Sequence, residues 1–360
     1  MTRTGRIHFA LVTAMLAGAL AGCATVPAGA PAVTVPAAAE TEAVGTANAD
    51  AADDPAIWAA PAGGSAMLSG QRIAGFIAGT DKKAGLYVYD LAGRQLQFLA
   101  DGLLNNVDLR ADVIVDGRPQ VLIGASDRGR MGVALYLFDP SDGTAANAVR
   151  PWGFIRSDVT EPYGFCLAIA GGSPHAVLIG KDGEVRQYRI QAGPDGPTGT
   201  EVRRFAIGSQ SEGCVADDES AMLYVGEEMG GVWRYRLDPA AAAERTLVQG
   251  VDESGRLVAD VEGVTLIRDR GATYLIVSSQ GDSAFAVWQV DGVEPAYRGR
   301  FRVGAGEGVD AVSGTDGLDA LGGPIGDYPE GLVVVQDDRN EGAQNFKLVD
   351  WRVIRSALNL

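Results

Sequence analysis

The chain has 360 residues, 46% of them hydrophobic, with 49 glycines and few aromatics, which excludes a disordered polymer and suffices for one large core or two smaller ones. Its 46 acidic residues outnumber 30 basic ones, so nucleic acid is a poor partner and an anionic substrate meets a repulsive field unless cations intervene. With His8 in a leader segment, only His175 is left, in a turn entering a strand; multi-histidine zinc sites, HExxH proteases and histidine phosphatases are excluded.

Residues 1–23 read as an export signal. Arg3 and Arg6 give a basic start, and Phe9–Leu20 is apolar but too short for a comfortable span. The segment ends in Leu20-Ala21-Gly22-Cys23, which resembles the bacterial lipobox, so Cys23 is expected to be lipidated and to tether the protein at the outer membrane, the periplasm or the cell surface. Without Arg3 and Arg6 the mature chain carries 28 basic against 46 acidic residues, a net of −18. Residues 24–39, almost pure Ala, Pro, Val, Thr and Gly, read as a linker, and the folded domain is expected over 40–360. Export permits a bridge between Cys166 and Cys214, and two separate buried thiols fit as well.

From Glu40 onward short alternating or apolar runs recur between Gly, Asp and Pro, and helical periodicity is hard to find. Aromatic residues before turns, Tyr89, Phe138, Tyr188, Tyr235 and Trp288, stand 49, 50, 47 and 53 residues apart. A second series, Asp54-Pro55, Asp108, Tyr163-Gly164, Glu212-Gly213, Glu262-Gly263 and Glu330-Gly331, has a stretched last interval of 68 that predicts an insertion over 304–328. A period near fifty over the mature chain predicts an all-β, six-bladed β-propeller with four-stranded blades around a central channel. A pair of β-sandwiches is the rival architecture, but it needs no regular phase.

In a propeller the first strand of each blade lines the channel, so the second series is expected to form a ring at one mouth. Asp260 and Glu262, two apart in "ADVEGVTLI", project from the same face of a strand, with backbones roughly 7 Å apart. Glu212, Glu227, Glu228, Asp310 and Asp316 add to this anionic bowl, and so many hard oxygen donors without histidine match Ca²⁺ best, ahead of manganese or magnesium. Basic residues are scarce, yet Lys82, Lys83, Arg128 and Lys181 each follow a strand end about one blade apart, an arrangement suited to phosphate oxygens.

Thirteen stretches taken in order, among them "DAADDPAIW", "LLNNVDLR", "IGKDGE", "SQSEGCVADDE", "DVEGVTL", "SSQGDSAFAVW" and "QNFKLV", resemble the β-propeller phytases, calcium-dependent hydrolases of myo-inositol hexakisphosphate. The resemblance runs from Glu40 to about Trp351. It implies active-site calcium ligands at Glu40, Glu212, Glu228, Asp260, Glu262, Gln280 and Asp310. It implies phosphate contacts from Lys82, Lys83, Arg128, Tyr163 and Lys181, with Asp182 and Asp316 as acidic partners near the attacked phosphorus. It also implies a stabilising calcium at Asp54 and the Pro55 and Val107 carbonyls. Three departures stand out: Asp182 where the family often has glutamate, few acids over 304–316, and one extra residue in "VGTANADAADD".

The implied reaction is metal-assisted phosphomonoester hydrolysis by direct attack of water, with two adjacent phosphate sites, one cleaving and one holding. Lys82, Arg128 and Lys181 would stabilise the spreading charge and Tyr163 would orient a substrate oxygen. The expected partner is a small molecule, phytate as its calcium complex, with membrane contact only through the lipid and a monomer as the default state. Two rivals are a non-catalytic calcium-bound propeller that binds a sugar or cell-surface ligand, and an esterase or lactonase propeller, which needs no basic cluster.

Overall fold

The repeating apolar runs become strands, and the strands assemble as six blades. The computed structural model describes Met1 and residues 28–47, 50–61, 63–340 and 343–360. Blade 1 is Ala52–Ala59, Gly75–Asp81, Gly85–Tyr89 and Gln95–Leu99, ordered from the centre outward. Blades 2 to 5 repeat that antiparallel meander, their inner strands being Leu104–Val115, Pro162–Ala170, Ser211–Asp217 and Val261–Asp269. Blade 6 takes three strands, Leu318–Gly322, Gly331–Asp337 and Asn345–Asp350, from the end of the chain, and its outer strand, Ala39–Glu40, from the beginning. The ring is thus closed by pairing Ala39 with Leu348 and Glu40 with Lys347.

The aromatic repeat has a packing cause. Neighbouring blades diverge outward, and the wedge between them must be filled. Phe138 of blade 2 packs on Trp58 and Phe76 of blade 1, with ring centroids 5.3 and 5.4 Å away. Tyr188, Tyr235 and Trp288 occupy the equivalent clusters between blades 2 and 3, 3 and 4, and 4 and 5. Tyr89 packs against Phe346 in the wedge between blades 6 and 1. Between blades 5 and 6 the corresponding filler is Trp351, the first residue of the C-terminal helix Trp351–Leu358. Truncating one of these aromatics to alanine costs roughly 3–5 kcal/mol.

One expectation changes here, and one open alternative is decided. Residues 28–39, the described part of the expected linker, are not free, because Val33–Pro36 pairs in parallel with Phe301–Gly304 as a fifth strand on the outer edge of blade 5. The Val-Thr-Val run favours a strand, and Val35 is fully buried against that edge. Cys166 and Cys214 form a disulfide, with Cα atoms 5.6 Å apart, joining the inner strands of blades 3 and 4. Cys23 and the rest of the leader lie outside the described residues, Met1 excepted.

Candidate active site in the charged mouth

Every inner strand starts at the same end of the channel. At four of these starts a polar residue is followed by glycine: Tyr163-Gly164, Glu212-Gly213 and Glu262-Gly263 one residue into the strand, and Asp316-Gly317 just before Leu318–Gly322. The glycine is required by close approach, since a Cβ at Gly213 would lie 2.1 Å from the Glu262 carbonyl oxygen. Gly263 N donates to Asp316 O at 3.2 Å and Gly317 N to Asp53 O at 3.1 Å, so Asp316 and Asp53 are each braced by the preceding blade. The ring at the mouth is Asp53, Asn106, Tyr163, Glu212, Glu262 and Asp316.

This corrects the second repeat series at three places. Glu330 precedes the second strand of blade 6, not the first, and pairs with Arg270 and Arg355 away from the mouth. With Asp316 as the sixth member the last interval is 54, and no stretched repeat remains. Asp108 lies one turn of the pleat deeper, paired with Arg110 at 2.9 Å, so blade 2 presents Asn106. Asp53, next to the expected Asp54, faces the mouth. Glu227 also turns aside, accepting from Trp233 Nε1 at 2.7 Å.

A second ring is formed by the residue that follows each blade's second strand: Lys82, Arg128, Lys181, Glu228, Gln280 and Asp338. Blades 1 to 3 place cations there. Blades 4 to 6 place acids and an amide.

Ligand oxygens of Asp53, Glu212 and Asp316 lie within 4.8 Å of one another, and so do those of Glu212, Glu228 and Glu262. Glu212 belongs to both groups. Burial and the Asp316 charge push its carboxyl up to about 7, despite the Lys82 charge and hydrogen bonds with Tyr163 and Glu262. Glu262 and Asp53 are raised as well, by burial and then by the Glu212 and Asp316 charges, and burial also raises Glu228. Glu262 Oε2 has no hydrogen-bond partner among the described residues, although the residue is buried.

Lys82 is the one cation inside this cluster among the described residues: its Nζ lies 2.6 Å from Asp50, 2.9 Å from Asp53 and 3.1 Å from Asp316. Burial alone would depress its pKa, but Asp316, Asp53 and Glu212 raise it well above the ordinary value. Tyr163 OH donates to Glu228 Oε1 at 3.1 Å, and burial among Glu212, Glu262 and Glu228 keeps the phenol protonated. Lys181 Nζ stands 5.3 Å from the Tyr163 ring centre. Arg128 reaches Glu161 at 3.7 Å and the Lys82 carbonyl at 3.4 Å. Lys83 is exposed beside them. Asp182 is also exposed, its carboxylate accepting from Thr160 at 2.7 Å, which lowers its pKa.

The other expected residues fall into separate groups. Glu40 and Asp310 meet at the ammonium of Lys347, which is fully buried and also 3.3 Å from Asp337. Asp260 flanks Glu228, and its carbonyl accepts from Gln280 N at 2.9 Å. Asp54, Pro55 and Val107 line a cavity of about 20 Å³ in the channel, where Val107 N donates to Asp54 at 3.1 Å.

Asp50, Asp53, Asn105, Asn106 and Lys347 were missed as site residues by sequence reasoning. Asn105 donates to Glu212. The adjacent stretches "DAADDPAIW" and "LLNNVDLR" carried four of the five, but the series was aligned one or two residues too late.

A family model described as Phytase matches residues 5–360. A 3-phytase of Bacillus subtilis (strain 168) is 38% identical over 331 residues, covering 89% of this chain and 84% of that protein. Among solved structures, a luciferin-regenerating enzyme superposes with a TM-score of 0.48 at 11% identity, over 84% of this chain and 92% of the other. With a family match along nearly its whole length and a close relative that is itself a phytase, this six-bladed chain belongs to the β-propeller phytase family.

Proposed function

We propose that the protein is a calcium-dependent 3-phytase, which hydrolyses phosphomonoesters of myo-inositol hexakisphosphate to lower inositol phosphates and inorganic phosphate by direct attack of water. The family and the Bacillus relative support the substrate, and the observation that carries the reading is the charge division of the mouth. Blades 1 to 3 supply Lys82, Arg128 and Lys181, and blades 4 to 6 supply every member but Asp53 of two carboxylate groups that share Glu212, with Lys82 set between Asp53 and Asp316.

The donor set fits a hard cation. It consists of carboxylate oxygens without thiolate or imidazole, and the buried Glu262 Oε2, without a partner among the described residues, is an acceptor that a cation would satisfy. Glu212, Glu228, Glu262 and Asp316 would hold calcium, with Asp260 and Gln280 at the edge. Calcium supplies positive charge against phosphate oxygens, and little acidification of water.

The protein's own groups then divide the work. Lys82, Arg128 and Lys181 donate to phosphate oxygens and hold the reacting group in line. Tyr163 stays neutral and can donate, so it orients an oxygen without adding charge. Asp182 and Asp316 flank the attacked phosphorus, and Asp182, at the exposed rim, is ionised and can accept a proton. Glu40 and Asp310, held by Lys347, and the Asp54 channel group serve as further cation positions.

The protein is further read as an exported lipoprotein tethered through Cys23 and acting as a monomer. The decisive experiment for the activity is phosphate release from phytate by the purified protein near neutral pH, with calcium titrated against a chelator. Release that rises with calcium is expected; none at any calcium level overturns the reading. Replacing Lys181 and Asp182 together should abolish hydrolysis.

A further inference from the structure

The chain does not leave the fold where the composition places its exit. Val33–Pro36 is bound to blade 5, and Ala30 N donates to the Gly255 carbonyl at 2.7 Å while Arg300 Nη1 donates to the Ala30 carbonyl at 2.6 Å. The segment is therefore fastened down to Gly29. Ala28 and Gly29 line a 510 Å³ hollow with Gln280, Ser283, Ser313 and Arg339. These residues belong to the loops that rim the charged mouth: Gln280 is in the second ring, and Ser313 lies three residues before Asp316.

Cys23 is five residues from Ala28, and a fully extended chain of that length spans at most about 18 Å. We propose that the mouth-bearing face of the propeller is its membrane face: the lipid on Cys23 holds the rim between blades 5 and 6 within that distance of the bilayer. This rests on reading Cys23 as the lipidated residue. A flexible linker over 24–39 would instead have let the domain turn freely, with any face toward the lipid. The occupant is a lipid surface, not a protein, because the tether is covalent and its point of departure is on this face.

The test places a fluorophore on the full-length protein purified from membranes and reconstituted into vesicles that carry headgroup-nitroxide lipid. One label sits at Arg339→Cys on the mouth rim, where the side chain is 82% exposed. The other sits at Val293→Cys, an exposed position between Ala284–Gln289 and Ala296–Gly304 at the opposite end of blade 5. The native Cys166 and Cys214 are bridged and do not compete for label. The Arg339 label should lose most of its emission while the Val293 label keeps it. Equal quenching, or stronger quenching at Val293, overturns the orientation. Intact mass reports the lipid independently, and a protein without lipid on Cys23 overturns the proposal together with the reading beneath it.

Discussion

The inner three strands of every blade follow the same meander and approach the mouth in the same way, yet blades 1 to 3 and blades 4 to 6 place different side chains in its two rings. After the second strand the first half has Lys82, Arg128 and Lys181, whereas the second has Glu228, Gln280 and Asp338. A propeller is nearly symmetric, so its chemistry has to come from breaking that symmetry side chain by side chain. Here the break is an uneven charge around the mouth: Arg128 and Lys181 stand on one side, Glu228 and Glu262 on the other, and Lys82 lies between Asp53 and Asp316 where blades 1 and 6 meet.

The largest expected effect comes from emptying the acidic half. Replacing Glu212 and Glu262 together by glutamine, which keeps shape and removes charge, should lower kcat/KM on the order of 1,000-fold, and calorimetric calcium titration should show weaker binding. Unchanged calcium binding would show that the two halves do not divide the charge as described.

Next comes the basic half. Lys82→Met leaves Asp50, Asp53 and Asp316 without their shared ammonium and should cost roughly 3–5 kcal/mol of stability in the chelated protein, read by denaturant titration. Its kcat/KM should fall by about 100-fold at saturating calcium, since a phosphate donor is lost too.

A pH series tests the same division without mutation. The Glu212 carboxyl sits at about 7 in the folded protein against an ordinary 4.5. Its proton is released on unfolding, so the stabilisation is complete below about 4.5 and is lost as pH rises through 7, worth roughly 3 kcal/mol. Asp319, buried in the channel and also pushed up to about 7, follows the same sign. Chelated protein should therefore melt at a lower temperature at pH 8.5 than at pH 5.5, and calcium should reverse most of that drop. A chelated protein that gains stability toward pH 8.5 would contradict the acidic half as a proton or cation sink.

The smallest effect is expected where the halves meet. Tyr163→Phe removes one hydrogen bond to Glu228 and should cost about 1 kcal/mol, a five- to tenfold loss in kcat/KM with calcium affinity little changed.

The blade count was legible because each interblade wedge needs a large side chain, and that demand recurs with the blade period whatever else varies. The ring was legible where close approach of inner strands enforces glycine after the mouth residue, as at Glu212 and Glu262. It was misread in blades 1 and 2, where Asp53 and Asn106 are followed by Asp54 and Val107. In blade 6, Glu330-Gly331 imitates the signature, and only the blade interval favours Asp316-Gly317. Lys347 could not be anticipated: a lysine within "QNFKLV" reads as a solvent-facing strand residue, and its partners Glu40 and Asp310 lie 307 and 37 residues away. The disulfide was open for the same reason, since composition permits a bridge and only the adjacency of two inner strands decides it.

The outer strand of blade 6 is two residues long and comes from the opposite end of the chain. During folding this strand must wait for the end of the chain, and until then Asn345–Asp350 presents a raw sheet edge. The fastening works like a buckle: a nick between Ala37 and Thr41 would cut into the closing strand itself and weaken the hold of Glu40 on Lys347, so the closure of the ring and one charged group at its mouth depend on the same few residues.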